Sequence, residues 1–100
     1  MSKEFMTAVT RVWNPDGGAM NALLGLVGET GEVVELFKKR NYHGRQFTLE
    51  QLRDELGDVM YYVYALCHEM MLDPEDVMQA NIEKLAKRYP DGFVLGGGIR

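Results

Sequence analysis

Apolar residues recur at helical spacing along most of the chain. The clearest stripe follows Thr48, where apolar positions alternate steps of four and three residues: Leu52, Leu56, Val59, Val63, Leu66 and Met70. This spacing is typical of a helix that packs against parallel or antiparallel neighbours. Thr48 and Gln51 form a capping box that predicts where this helix begins. No segment shows the strict alternation of a strand, so the pattern predicts an all-α fold.

Three further helices are predicted around this one. The first covers residues 2 to 12, with Ser2 as its N-cap, and ends at the turn formers of residues 14 to 18. The second covers residues 19 to 41, and the fourth begins at Asp73-Pro74 and stops at Pro90. A short loop joins the second and third helices, so we expect an antiparallel hairpin. The flanking helices would complete a core resembling a four-helix bundle, within an oligomer.

The chain is short enough for one domain only. We assign residues 1–93 to a single helical domain and residues 94–100 to a glycine-rich tail, which contains Gly96-Gly97-Gly98. We expect this tail to be mobile unless a partner orders it.

Two acidic pairs stand out on the predicted hairpin. Glu29 and Glu32 lie three residues apart on the second helix, and Glu55 and Asp58 lie three residues apart on the third. Each pair therefore projects from one face of its helix. Counted from the loop at Gly44, the two pairs lie at about the same height and face each other. We expect four carboxylates placed so to raise each other's pKa unless a cation neutralises them.

Two interpretations of these pairs stay open at this level. Acids three residues apart most often belong to a solvated helix face, whereas a carboxylate cluster beside a core suits Mg²⁺, with Mn²⁺ as a possible substitute. Glu35 continues the series as a weaker candidate. Glycines inside the helices, at positions 25, 28, 31 and 57, are explained equally by close helix packing or by space for a ligand. A ferritin-like di-iron site is excluded, because no Glu-x-x-His motif occurs.

The amino-acid composition limits the kinds of partner that the protein is expected to bind. Fifteen acidic residues against eleven basic ones give a net charge of −4, so the chain as a whole has no basic surface for nucleic acid. The single cysteine, Cys67, cannot form an intramolecular disulfide. The longest nearly uncharged run, residues 59 to 68, is too short to cross a membrane. A cytoplasmic protein that binds neither nucleic acid nor membrane is expected.

Three motifs resemble those of the MazG family of all-α nucleoside triphosphate pyrophosphohydrolases. They are the segments 26–35 with Glu29 and Glu32, 54–59 with Glu55 and Asp58, and 81–90 with Asn81 and Lys84. The resemblance implies Mg²⁺-dependent cleavage of an NTP or dNTP between the α- and β-phosphates, giving the monophosphate and pyrophosphate. It makes the four acids metal ligands, with Glu29 or Glu32 also acting in catalysis by orienting or deprotonating the attacking water.

The resemblance also suggests residues that bind the nucleotide. Those considered for phosphate oxygens or the sugar are Lys38 with its neighbour Lys39, Tyr62, Asn81, Lys84 and Arg88. The two lysines have an equally simple explanation as basic residues at a helix C-terminus. Trp13 and Asn21 would lie on the base side, although Trp13 is otherwise a core residue at a helix end. His43, Arg45 and Arg53 have no role beyond surface charge.

Assembly is expected from the third helix, whose residues 59 to 67 are apolar or aromatic almost all round. A homotetramer is the first expectation and a dimer the second. The alternative to an enzyme is a non-enzymatic helical module for oligomerisation or regulation. The base and sugar of the substrate are left open.

Overall fold

A computed structural model of the protein describes residues 1–95, and within them it contains four α-helices and no strand. This confirms the predicted all-α fold. A single 3₁₀ turn, Pro15–Gly17, leads into the second helix. The helices are α1 (Ser2–Val12), α2 (Gly18–His43), α3 (Leu49–Glu69) and α4 (Pro74–Arg88). The glycine triplet of the predicted tail lies outside the described residues.

The two longest helices, α2 and α3, pack along each other as the predicted antiparallel hairpin. Gly44 ends α2 in the left-handed conformation, with φ of 66°, which glycine adopts without strain. The predicted capping box then starts α3: the Gln51 backbone N–H donates to the Thr48 hydroxyl at 3.1 Å, and the Thr48 N–H donates to the Gln51 side chain at 2.8 Å. The hairpin is therefore fixed at both sides of its loop.

A small core lies at the open end of the hairpin, opposite the loop. Val9 of α1 is buried there with Ala22 of α2 and with Tyr64 and Ala65 of α3. Ser2 does not cap α1 as predicted, since α1 begins at Ser2 itself and Met1 takes the cap position. The Ser2 hydroxyl instead shares a 2.8 Å hydrogen bond with the Tyr64 hydroxyl, so that it joins α1 to α3.

Helix α4 extends away from the hairpin. Asp73 caps it through a 2.9 Å bond from the Glu75 N–H, and Pro74 occupies the first helical position, as predicted. Pro74 is buried, but every residue from 75 to 88 is exposed. The apolar face of α4 is thus left uncovered by its own chain. None of the described helices is both long and apolar enough to span a bilayer.

Candidate metal centre

Three of the four predicted acids meet in the middle of the hairpin. Glu29 and Glu32 of α2 and Glu55 of α3 each place a carboxylate oxygen within 4.8 Å of the other two. The equal height counted from the loop is therefore found in the structure. Asp58 is exposed and lies outside this group, but its charge still acts on Glu29. We call Glu29, Glu32 and Glu55 the acidic cluster.

Two members of the acidic cluster, Glu29 and Glu55, have raised pKa values. The pKa of Glu55 is raised to about 7, first because burial disfavours its charged form and then because of hydrogen bonding to Glu32 and the charges of Glu32 and Glu29. The pKa of Glu29 is also raised, mainly by burial and further by the charges of Glu32 and Asp58. The pKa increase predicted for the four acids is thus found for Glu29 and Glu55, and a hydrogen bond with Glu55 offsets part of the increase at Glu29.

Two oxygens of the acidic cluster have no hydrogen-bond donor. Oε2 of Glu29 and Oε2 of Glu55 are buried from solvent and have no partner among the described residues. A buried carboxylate oxygen without a donor is costly unless a proton or a cation compensates it. Several oxygen ligands with no nitrogen or sulfur among them are the donor set of a hard divalent cation such as Mg²⁺. The residues present therefore fit a Mg²⁺ ion.

A cavity of about 330 Å³ opens beside the acidic cluster. Its walls are Glu32, Glu35, Leu36, Lys39 and Glu55. Glu35 thus lines the site without joining the cluster, and Lys39 places a cation beside the carboxylates.

Lys38 and Lys39, which the sequence treats as a pair, lie on different faces of α2. Lys38 lines an apolar groove with Val33 and Val34, away from the acids. Lys39 follows Glu32 by seven residues, two helical turns, and so returns to the same face. That spacing is the signal by which Lys39 could have been singled out from the sequence.

An aromatic group lies toward the open end of the hairpin. Trp13 makes edge contacts with Tyr61 and Tyr62, at ring-centroid distances of 6.1 and 6.3 Å. Tyr62 packs directly on Gly25 of α2, where a Cβ atom would collide with its ring. The Trp13 indole N–H donates to Oε2 of Glu69 at 2.7 Å. Glu69 is a residue that the sequence did not single out, because its partner is 56 positions away.

The remaining predicted binding residues are spread over two regions. Asn21 is exposed in the first turn of α2, where its side chain covers Gly17. Asn81, Lys84 and Arg88 are exposed on α4, which does not pack against α2, so one chain does not bring them to the acidic cluster. The residues described as surface charges are indeed exposed: His43, Arg45 and Arg53.

Comparisons with known proteins agree with the geometry. A family model described as the MazG nucleotide pyrophosphohydrolase domain matches residues 19–93. The chain is 38% identical to the gene 37 protein of Mycobacterium phage L5 over 81% of its own length and 75% of that protein. It is 33% identical to dCTP pyrophosphatase 1 of Bos taurus, over 93% of its own length and 59% of that protein.

The human protein of the same name is 34% identical over 83% of the chain and 52% of that protein. The chain therefore spans little more than half the length of these two pyrophosphatases. No solved structure gives a significant match.

Proposed function

Because the chain belongs to the MazG nucleotide pyrophosphohydrolase family, we propose that it hydrolyses a nucleoside or deoxynucleoside triphosphate between the α- and β-phosphates. The products are the monophosphate and pyrophosphate, with one water added across the broken bridge. The observation that carries the proposal is the pair of buried, donor-free oxygens on Glu29 and Glu55. They belong to carboxylates that the hairpin brings together, and the segments that carry both lie within the residues that the family model matches.

The four acids hold Mg²⁺ in this proposal, with Mn²⁺ as a possible substitute. When bound, the cation neutralises negative charge on the phosphate oxygens and lowers the pKa of the attacking water. Either Glu29 or Glu32 would have a second role besides binding the metal. It would orient the attacking water or accept its proton. Lys39, on the cavity wall, would bind a phosphate oxygen of the substrate or of the leaving pyrophosphate.

A deoxynucleoside triphosphate, with dCTP tested first, is the proposed substrate. Support comes from the relatives named dCTP pyrophosphatase 1. Trp13 is half-buried against the core, and the exposed part of the aromatic group around it offers ring surface for a base. Asn21 precedes Gly25, on which Tyr62 packs, by one helical turn. The cytoplasmic location stays a prediction.

We further propose that the working form is a homotetramer, with a dimer as the second choice. Two uncovered apolar stripes support this. On α2, the exposed positions Leu24, Val27 and Val34 follow a helical spacing, and their exposed fractions are 64%, 70% and 60%. On α3, Leu56, Met60 and Val63 form a second stripe at spacings of four and three.

Helices with such stripes pack against further helices, and contiguous exposed apolar surface of this kind marks an interface. Assembly would also give Asn81, Lys84 and Arg88 of one chain a route to the acidic cluster of another. The phosphate-binding roles proposed for these α4 residues therefore depend on the oligomer.

The direct test incubates the protein with each common NTP and dNTP in the presence of Mg²⁺ or Mn²⁺ and measures pyrophosphate and monophosphate. We expect turnover that EDTA abolishes. Glu32→Gln and Asp58→Asn should each abolish turnover while the protein stays folded and assembled. Glu50→Gln is the matched control, because Glu50 is exposed on the same helix and projects about 140° round it from Glu55.

The non-enzymatic alternative makes opposite predictions. It requires that no nucleotide is hydrolysed and that Mg²⁺ leaves the melting temperature unchanged. A cation that binds only the folded state must raise that temperature. Activity that persists in a protein carrying both Glu32→Gln and Asp58→Asn would contradict the metal assignment.

A further inference from the structure

Glu69, the last residue of α3, joins three separate parts of the chain at one point. Its Oε2 accepts the 2.7 Å hydrogen bond from the indole N–H of Trp13, in the segment that follows α1. Its Oε1 lies against Gly18, the first residue of α2, at 3.7 Å from where a Cβ would stand. A negative charge at the N-terminus of a helix is favoured by the helix dipole. Glu69 therefore binds the Trp13 indole through one oxygen and places the other beside the start of α2.

The hydrogen bond to Glu69 is the last of the contacts that hold the Trp13 ring in one orientation. The edge contacts with Tyr61 and Tyr62 restrain one side of the indole. The bond to Glu69 then fixes the direction of the N–H, and together with the two edge contacts it sets the plane of the ring. A hydrogen bond to a charged acceptor is stronger than one between neutral groups, so it contributes more to this restraint than a hydroxyl would.

The fixed ring lies near the acidic cluster. Tyr62, which contacts Trp13, follows Asp58 by four residues, and Gly25, on which Tyr62 packs, precedes Glu29 by four residues. Four residues of helix correspond to about 6 Å along the axis. The aromatic group is thus one helical turn from the acids, on the side away from the hairpin loop. A nucleotide whose phosphates lie at the acids has to place its base on one side or the other.

We propose that Glu69 is a positioning residue, which holds the Trp13 indole in the orientation that receives the base of the nucleotide. The inference rests on the proposed function and goes beyond it, since it assigns control of base affinity and base preference to a carboxylate outside the acidic motifs. Glu69 does not touch the phosphates, so the chemical step does not depend on it. Its loss should weaken binding of the base and leave the rate of the bound complex nearly unchanged.

The test compares Glu69→Leu with Glu69→Gln in the full-length protein. Glu69→Leu removes the acceptor, so we expect KM for the preferred dNTP to rise about tenfold, in line with a lost hydrogen bond to a charged group. The value of kcat should change little, and the ratio of kcat/KM between cytosine and purine dNTPs should move toward one. Glu69→Gln keeps an acceptor oxygen and should restore most of the affinity and base preference.

The fluorescence of the protein supplies a readout that is independent of turnover. Trp13 is the single tryptophan, so its emission and its quenching by acrylamide report the indole alone. Glu69→Leu should change both in the nucleotide-free protein, and Glu69→Gln should change them less. Trp13→Phe should raise KM as well, and adding Glu69→Leu to it should have almost no further effect, since the two residues act through one contact.

Each outcome separates this inference from the proposed function. A wild-type protein that hydrolyses no nucleotide contradicts the proposed function, and the inference with it. An active wild-type protein whose Glu69→Leu variant keeps the same KM, base preference and tryptophan emission overturns the inference alone. A variant that loses kcat at unchanged KM also overturns it. Thermal melting of both variants shows whether a change in KM comes from a loss of folded protein.

Discussion

The carboxyl group of Glu55 determines much of how the metal-free site responds to pH. Glu55 keeps a proton at pH values where an ordinary glutamate has lost it, because it is buried beside Glu32 and Glu29. In the unfolded chain these restraints vanish and the pKa returns to its ordinary value of 4.5. The folded state therefore binds more protons than the unfolded state between pH 4.5 and about 7.

From this difference we predict that the metal-free protein loses stability as pH rises from 4.5 to about 7, with no further loss from Glu55 above that range. Glu55→Gln, which is neutral at every pH, should reduce this loss. Denaturant unfolding in EDTA at a series of pH values measures it. A wild-type free energy of unfolding with the same pH dependence as that of Glu55→Gln would contradict the prediction.

Mg²⁺ should oppose the loss of stability that the metal-free protein shows as pH rises. A cation competes with protons for the same carboxylates, so its binding strengthens as pH rises. We expect the Mg²⁺-dependent increase in melting temperature to be larger at pH 8 than at pH 6 in the wild-type protein, and to be lost in Glu32→Gln. Glu50→Gln again serves as the control, and its increase should equal that of the wild type.

The two neighbouring lysines of α2 give a second prediction at this scale. Lys39 lines the cavity beside the acidic cluster, whereas Lys38 lines the apolar groove on another face. If Lys39 binds a phosphate oxygen, Lys39→Met should lower kcat/KM by about tenfold or more, the worth of one hydrogen bond to a charged group. Lys38→Met removes the same charge and should leave kcat/KM within about twofold of the wild type, since exposed charges act weakly at a distance. Equal losses in both variants would show that only net charge matters.

Some of the site was predictable from the sequence because it depends on local spacing. The three-residue steps within each acidic pair, and the equal distances from the loop, place Glu29, Glu32 and Glu55 together without further information. Glu69 was not predictable in this way. Its contact with Trp13 depends on how α1 and the following turn dock on the end of α3, and no local pattern encodes that docking.

At the scale of helices, the glycines of the hairpin have different explanations. Tyr62 occupies the space above Gly25, so close packing of α2 on α3 explains that position. A Cβ atom at Gly28, Gly31 or Gly57 would have no neighbour within 4 Å. Close packing within one chain therefore does not explain these three glycines. A second copy of the chain or a ligand beside them is the explanation that remains.

A stability comparison follows from this difference. Gly57→Ala should stabilise the protein by about 1 kcal/mol, because alanine favours a helix interior by that amount over glycine and the added methyl group meets no atom of its own chain. A loss of stability would instead show that a second copy or a ligand fills the space beside Gly57. Gly25→Ala should gain less or lose stability, since Tyr62 has to move. Chemical denaturation of the two variants against the wild type measures both values. The reverse order would show that Tyr62 does not pack on α2 in solution.

The helices themselves were more predictable than their arrangement. Capping residues and apolar spacing placed both ends of the hairpin loop and the start of α4, because these signals act within a few residues. Where α4 lies was not predictable. Its apolar residues Met78, Ile82 and Leu85 show which face of α4 is suited to packing, but not which surface it packs against. The hairpin of the same chain does not cover this face.

At the scale of the whole molecule, one chain is more extended than a compact domain of its length. Its radius of gyration is 16.7 Å, whereas about 13 Å is expected for a compact chain of 100 residues. The 26-residue α2 makes the hairpin long, and α4 leaves the hairpin and exposes an apolar face. The uncovered stripes of α2 and α3 add to this surface. A second copy that covers these faces would make the assembly compact where the single chain is not.

We therefore predict that a charge on the apolar face of α4 breaks the assembly and the activity together. Ile82 is 59% exposed in the single chain, so Ile82→Glu should cost the isolated chain little, but it would bury a charge in the oligomer interface, which is strongly unfavourable. Light scattering coupled to gel filtration should show a smaller species, with turnover reduced in parallel because Lys84 and Arg88 no longer reach a neighbouring site.

Ile82→Leu is the matched control, since it keeps an apolar side chain of the same size at the same position of α4. It introduces no charge and should leave the mass of the assembly and kcat/KM close to those of the wild type. A wild-type protein that is monomeric and active would contradict the tetramer and the dimer alike. An Ile82→Glu variant that dissociates yet keeps full activity would show instead that each chain holds a complete site, and that the residues of α4 bind no phosphate.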